Sequence, residues 1–241
     1  MSLADSYFAS ATALLARARE KNAPTLKALG PLIGKSIAAG GVLHTFGSGH
    51  SELIGREIIG RAGGLMPVTG LIDPGYGFSE NVVGYGTRLA ERHDNHYHFK
   101  AGESIVVISN SGKNSSPIEV ALYAQKKGVH VIALTSLEMS TTSKTVHPGG
   151  KNLHAIADHT LDNLGVTGDA ITEVAPGRFA GPTSTLIGAT LLNLLTLEVL
   201  DWLQTHGHPL PLVTSQNIPG GMEANIELSQ KYRTRLSKLI G

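Results

Sequence analysis

The residues best equipped for chemistry lie between positions 109 and 116. Ser109-Asn110-Ser111-Gly112-Lys113-Asn114-Ser115-Ser116 sets a cluster of hydroxyl and amide side chains beside backbone N–H groups. The run before it, Ser104 to Ile108, is short, apolar and β-branched, the pattern of a strand buried on both faces. After it, Pro117 sits where a first-turn proline is tolerated, and Ile118, Val120, Ala121, Leu122 and Ala124 continue as a helix. The orphan N–H groups and the dipole at a helix N-terminus both favour negative charge, so the indicated chemistry is binding of a phosphate or similar oxyanion. An ordinary helix cap needs one such side chain, not a cluster. Lys113 offers a charge, although loop lysines are commonly just solvated.

A second candidate turn, Gly47-Ser48-Gly49-His50-Ser51, follows the apolar run Val42 to Phe46. Its glycines allow the backbone to approach a ligand closely. It has neither the third glycine of a dinucleotide fingerprint nor the Gly-Lys-Ser/Thr of a nucleotide P-loop. In an open α/β sheet both turns would lie at the carboxyl ends of parallel strands, where a switch in strand order brings such turns together.

The elements that must hold these turns follow from periodicity. Asp5 to Lys21 carries an apolar stripe, and a second helix restarts at Asn22-Ala23-Pro24 with Leu26, Leu29, Ile33 and Ile37 apolar. Gly30-Pro31 predicts a kink or break there. The first glycine turn leads into a helix from about Glu52 to Arg61, and Leu65 to Val68 forms a short second strand. Gly70 to Gly86 is a long glycine-rich loop carrying Tyr76, Phe78 and Glu80, expected to cover a substrate or to pack in a dimer. His93 to His98 raises a metal site, since His96 and His98 would share one face of a strand. It precedes the central strand at the amino end, away from the ligand crevice, so a polar surface connection and no metal is expected. A helix Ser116 to Lys127, a strand Val129 to Leu134, a polar stretch Thr141 to Lys151 and a strand Ala157 to Leu161 follow. Gly165 to Phe179 reads as irregular, with carboxylates Asp169 and Glu173. Leu186 to about Gln204 is a helix apolar nearly all round, suited to a core or an oligomer interface, and Met222 to Leu239 is a last polar helix.

Composition narrows the function. A formal net charge of +1 supplies no electrostatic footprint for nucleic acid or an anionic membrane. Cysteine is absent, which excludes disulfides and thiolate chemistry and suits a reducing compartment. No leader pattern opens the chain, and the longest apolar stretch is interrupted by Asn193, Glu198 and Asp201, so a cytoplasmic protein is expected.

Phe46 to Ser51 followed by a helix, and then Ile108 to Ser115, resemble the two ligand loops of the sugar isomerase (SIS) domain. The likeness spans about Ala38 to Leu203. The whole chain looks like single-domain SIS proteins that end in a Gly-Pro-Thr-Ser-Thr helix and a further tail, here Gly181 to Thr185 and beyond. The resemblance implies one domain: a flavodoxin-like three-layer α/β/α core with a five-stranded parallel sheet at about 38–203, helices at 1–37, and a tail and helix at 204–241. Phosphoheptose and arabinose 5-phosphate isomerases, N-acetylmuramic acid 6-phosphate etherase and the isomerase half of glucosamine-6-phosphate synthase share the loops. Carried over by motif, Ser109, Asn110, Ser111 and Asn114 or Ser115 hold the phosphate, and Ser48, His50 and Ser51 touch the ligand. No cofactor is implied. A homodimer or homotetramer with the site at the subunit interface is, and the C-terminal His206 or His208 could then serve a neighbouring subunit's site.

Aldose–ketose isomerisation needs a base for the proton α to the carbonyl. The family tends to place a glutamate 14 residues beyond the first glycine of the first loop, and here that position is Arg61. Glu57, one helical turn earlier, is the first candidate base and Glu80 the second; an i,i+4 pair with Arg61 is the competing role for Glu57. The sequence therefore supports a phosphosugar isomerase, with a non-catalytic phosphosugar sensor, an etherase or a deaminase as alternatives.

Overall fold

The computed structural model describes residues 2–236. Five parallel strands form its sheet: β1 (Leu43–Gly47), β2 (Val68–Leu71), β3 (Ser104–Ile108), β4 (His130–Thr135) and β5 (His159–Asp162), in the order β2-β1-β3-β4-β5. This is the flavodoxin-like order, whose switch point lies between β1 and β3. The register places Gly47 beside Ile108, so the two candidate loops leave the sheet side by side.

Alternation along β3 divides the core. Val106 and Ile108 face a cluster built with α1 (Leu3–Ala38), α2 (Ser51–Arg56) and α6 (Ser184–Thr205). Ile105 and Val107 face α3 (Tyr85–Tyr97) and α4 (Ser115–Lys126). Every residue of β3 is buried, as its unbroken apolar run requires.

The two expected N-terminal helices are one. α1 runs for 36 residues through Pro24 and Pro31, although each proline removes a backbone donor from the helix ladder. Tertiary packing overrides that local signal. Gly30 and Gly34 present a bare backbone to α6, where a Cβ on Gly30 would stand 2.8 Å from the Glu198 carbonyl and one on Gly34 would enter the Trp202 ring. Leu26, Leu29, Ile33 and Ile37 are buried along the same face. Just before the first proline, Asn22 donates to the Asp162 carbonyl at 2.8 Å and accepts from Asp162 N at 2.8 Å, fastening α1 to the end of β5.

Other elements depart from the sequence reading. β2 begins where the expected second strand ends, and Leu65 instead bridges Leu212. His93 to Tyr97 is the last turn of helix α3, not a strand, so His96 and His98 share no strand face. The passage read as irregular contains an antiparallel hairpin, β6 (Ala170–Ala175) and β7 (Arg178–Pro182). α6 is long and apolar enough to cross a membrane by length and composition. Here it buries Ile187, Leu191, Leu192, Leu195, Val199 and Leu203 in the core and leaves Leu197 exposed. The tail forms α7 (Gly221–Lys231) and a single turn, α8 (Arg233–Leu236); the end of the expected 222–239 helix lies outside the described residues.

Candidate active site

The loops after β1 and β3 enclose a cavity of ≈ 500 Å³ together with the 72–84 loop. Ser48, Gly49, His50 and Ser51 line one side, Ser109, Asn110, Ser111 and Asn114 another, and Tyr76, Gly77, Phe78 and Glu80 a third. The backbone of the 109–114 loop is turned by its neighbours. The carbonyl of Asn110 accepts from Ser136 N (3.0 Å), that of Gly112 from Leu153 N (2.8 Å) and that of Lys113 from Val146 N (3.1 Å). The polar 141–151 stretch thus backs this loop rather than capping it. Among the described residues, the N–H groups of Asn110, Ser111, Lys113 and Asn114 have no protein acceptor, nor have those of Ser48, Gly49 and His50. A turn whose carbonyls are engaged and whose N–H groups are free is an anion receptor.

Glu80 joins the two loops. Its Oε2 accepts from Ser48 Oγ at 2.8 Å and its Oε1 from Asn114 Nδ2 at 2.7 Å. The loop that carries it is held by Asp73, which is 1% exposed. Asp73 accepts from Gly75 N (2.8 Å), Gly77 N (2.9 Å) and Tyr85 Oη (2.6 Å). The last bond keeps the phenol proton on Tyr85, and burial adds to it, so that phenol titrates above its ordinary range. Gly77, at φ +85°, passes so close to the first loop that a Cβ would stand 3.0 Å from Gly49 N. The 72–84 loop also caps α4, with the Glu80 carbonyl taking Ser116 N at 2.8 Å. In return Glu119 of α4 accepts from Gly84 N and Thr87 N at the start of α3.

Comparison with known proteins places this arrangement. The SIS domain family matches residues 6–136, more than half of the chain. The chain belongs to the SIS domain family. A UPF0309 protein of Geobacillus sp. (strain WCH70) is 34% identical over 243 residues, covering 98% of each chain. Another from Listeria monocytogenes is 34% identical over 235 residues, covering 97% of this chain and 98% of that one. Among solved structures, a phosphoheptose isomerase from Francisella tularensis aligns with a TM-score of 0.55 at 16% identity, over 83% of this chain and 98% of that one. The Vibrio vulnificus NanR protein complexed with ManNAc-6P aligns with a TM-score of 0.52 at 16% identity, over 96% and 66%. At such identities these structures establish the shared fold.

Not every candidate residue of this SIS domain reaches the cavity. Glu57 caps the short α2 and pairs with Arg61, its i,i+4 neighbour, outside the cavity lining. Ser115 is the first residue of α4; its hydroxyl is buried, has no partner among the described residues and does not line the cavity. His206 and His208 stack on Trp202 at the far end of α6, with ring centroids 4.3 and 5.4 Å away. Ser184, at the other end of α6, lines the cavity, and 22 residues of helix span about 33 Å. Distance therefore excludes both histidines from the cavity of their own protomer. Among the described residues no group of three or more His, Asp or Glu is gathered as metal ligands; His96 bonds the Arg92 carbonyl of its own helix.

Asp169, Ser184 and Met139 also line the cavity and are not among the site residues that the sequence suggests. Asp169, at φ +54°, accepts from Thr183 N and Ser184 N (3.3 and 3.0 Å) and so closes the N-terminus of α6 beside the cavity. Gly168-Asp169 is a turn signal, but nothing local ties it to Ser184, fifteen residues on. Met139 enters from α5 (Leu137–Thr142) with no signal at all.

Proposed function

We propose that this SIS protein binds a phosphorylated sugar in the cavity and interconverts its aldose and ketose forms, with Glu80 as the base. The placement of Glu80 carries the reading: it is a carboxylate held from both sides by Ser48 and Asn114, facing the ligand loops. The free N–H groups of Asn110, Ser111, Lys113 and Asn114 and the hydroxyls of Ser109 and Ser111 receive the phosphate through charge-assisted bonds that need no basic residue. Glu80 takes the proton from C2 of the open-chain aldose, leaving a C1–C2 enediolate, and returns it to C1. One hydroxyl proton passes from O2 to O1, so no atom is gained or lost. The free N–H groups at 48–50 are the donors available to the enediolate oxygen.

The rim of the cavity supports a shared site. Phe78 is 96% exposed, and Tyr76, Val82 and Val83 of the same loop are also open. Such a run of apolar side chains is suited to a second copy of the chain. Light scattering should show a dimer or larger; a monomer at micromolar concentration removes the shared site.

A thermal-shift screen against sugar phosphates, their unphosphorylated parents and inorganic phosphate tests binding. A ligand at 100 times its Kd stabilises by about 2.7 kcal/mol. A shift with one phosphosugar class followed by turnover supports the isomerase. A shift without turnover selects the sensor reading instead, and no shift with any phosphosugar overturns the site.

A further inference from the structure

At the amino end of the sheet, far from the cavity, four buried side chains from four segments form one hydrogen-bonded chain. His93 Nε2 of α3 meets His44 Nδ1 of β1 at 2.9 Å, and His44 Nε2 meets Glu103 Oε2 at 3.0 Å. On the other side of the carboxylate, Arg235 Nη1 of α8 donates to Glu103 Oε1 at 2.6 Å. Relative exposures are 5% for His93, 0% for His44, 2% for Glu103 and 6% for Arg235. Val42 N and Lys100 N also donate to Glu103, and Arg235 Nη2 donates to the carbonyls of Tyr97 and His98.

The protons of this chain are determined by its ends. Burial alone would push the Glu103 carboxyl up, but bonds from His44 and Arg235 more than reverse this and hold it at about 2. As an ionised acceptor it requires the proton of His44 on Nε2. A neutral His44 then offers Nδ1 as an acceptor, and His93 must donate from Nε2. Both rings are neutral, and the cluster balances one negative charge against one positive.

One more proton breaks that balance. Protonated on both nitrogens, His44 needs His93 to turn its other tautomer toward it, and it becomes a second cation on a carboxylate already paired with Arg235. The nearby charges give no relief. Asp94 is held by Lys127 (2.8 Å), Tyr123 and Phe99 N, His96 is a further titratable base on α3, and Lys100 adds positive charge before β3. The partner able to leave is Arg235, since His44 and Glu103 are fixed in or beside central strands. Arg235 is also the one buried residue between Ile226 and Leu236.

We propose that a proton taken up by His44 displaces Arg235 from Glu103 and frees the Ile226–Leu236 segment from the body of the protein. The segment is an acid-released latch: the imidazolium, already bonded to Oε2, neutralises the carboxylate, and the arginine leaves Oε1 for solvent. Competition of this kind is reciprocal, so whatever removes Arg235 must raise the proton affinity of His44.

Amide hydrogen exchange, corrected for intrinsic rates, tests the latch on the intact protein at pH 7.5 and 5.0. Burial holds the His44 imidazole below its ordinary range and release of Arg235 relieves part of that, so we expect α7 and α8 to lose protection tenfold or more at pH 5.0 while β3 and β4 keep theirs. Histidine NMR titration supplies a readout that a purely structural contact would not move. Arg235→Gln should raise the His44 titration by about one pH unit or more, because a cation beside it has been removed. Unchanged protection of α7 and α8 between the two pH values in the unmutated protein overturns the proposal, as does a His44 titration indifferent to Arg235→Gln.

Discussion

The two ends of the sheet use their polar groups in opposite ways. At the carboxyl end, seven backbone N–H groups across the two ligand loops lack a protein acceptor among the described residues, and Glu80 meets only two neutral donors. At the amino end, Glu103 accepts from His44, Arg235, Val42 N and Lys100 N, and all four charged or titratable members of the chain are buried. Polar groups satisfied internally hold the fold together, whereas groups aimed at space without a partner mark where a ligand supplies one. Both ends are built on the same two strands, so β1 and β3 each carry structure at one end and chemistry at the other.

The widest separation between the ends comes from removing one carboxylate at each. Glu80→Gln keeps the shape, with its amide oxygen accepting from Asn114 and its NH2 donating to Ser48 Oγ, but cannot accept a proton, so turnover should fall by about 10² to 10⁴-fold with phosphosugar binding retained. Steady-state rates beside a thermal shift would show this; retained turnover assigns the base elsewhere. Glu103→Leu should instead leave ligand affinity intact wherever the protein remains folded. It strands a buried arginine and two backbone donors, and denaturant unfolding should register a loss of about 3–5 kcal/mol.

Acid sharpens the contrast. His93 is depressed to about 2 by burial and by His44, so its folded pKa lies below the unfolded value near 6.5. The unfolded state binds the extra proton, and stability is therefore complete above about pH 6.5 and declines below it, by about 1.4 kcal/mol per pH unit for each proton. Glu103 is depressed as well, so its contribution is complete above its unfolded value of 4.5 and is lost as pH falls toward 2. Both groups weaken the fold in acid. A stability profile that stays level from pH 7 to 4 contradicts this reading of the amino end.

A single donor at the carboxyl end has a smaller effect. Ser111 lines the cavity and has no side-chain partner among the described residues, so Ser111→Ala should weaken phosphosugar binding by about 1.5–3 kcal/mol if its hydroxyl donates to the phosphate. Its effect on melting of the unliganded protein should be close to zero. Titration calorimetry beside a melting curve separates the two.

How far each end can be read from sequence follows the same division. The ligand loops announce themselves locally: β3 spans the expected Ser104–Ile108, apolar from Ile105 onward, and the two Ser/Gly turns follow strands directly. The amino-end chain joins His44, His93, Glu103 and Arg235 across as many as 191 positions, from residue 44 to residue 235, with no local pattern to connect them. The same limit hides the continuity of α1, whose prolines are visible while the α6 surface that offsets them is not. Short-range chemistry is legible in the chain; contacts between distant segments become visible only once the fold joins them.

Glu57 marks the smallest expected effect and the most direct test of reading a base from helical spacing. Its position one turn before Arg61 makes it a candidate for the missing family glutamate, yet the structure pairs it with Arg61 outside the cavity. Partly exposed i,i+4 pairs contribute about 0.3–0.5 kcal/mol. Glu57→Gln should therefore change stability by no more than about that amount and leave kcat and KM unaltered, while Glu80→Gln loses turnover. If Glu57→Gln abolished turnover instead, α2 would have to rearrange when ligand binds, and the base would belong to the helix rather than to the loop.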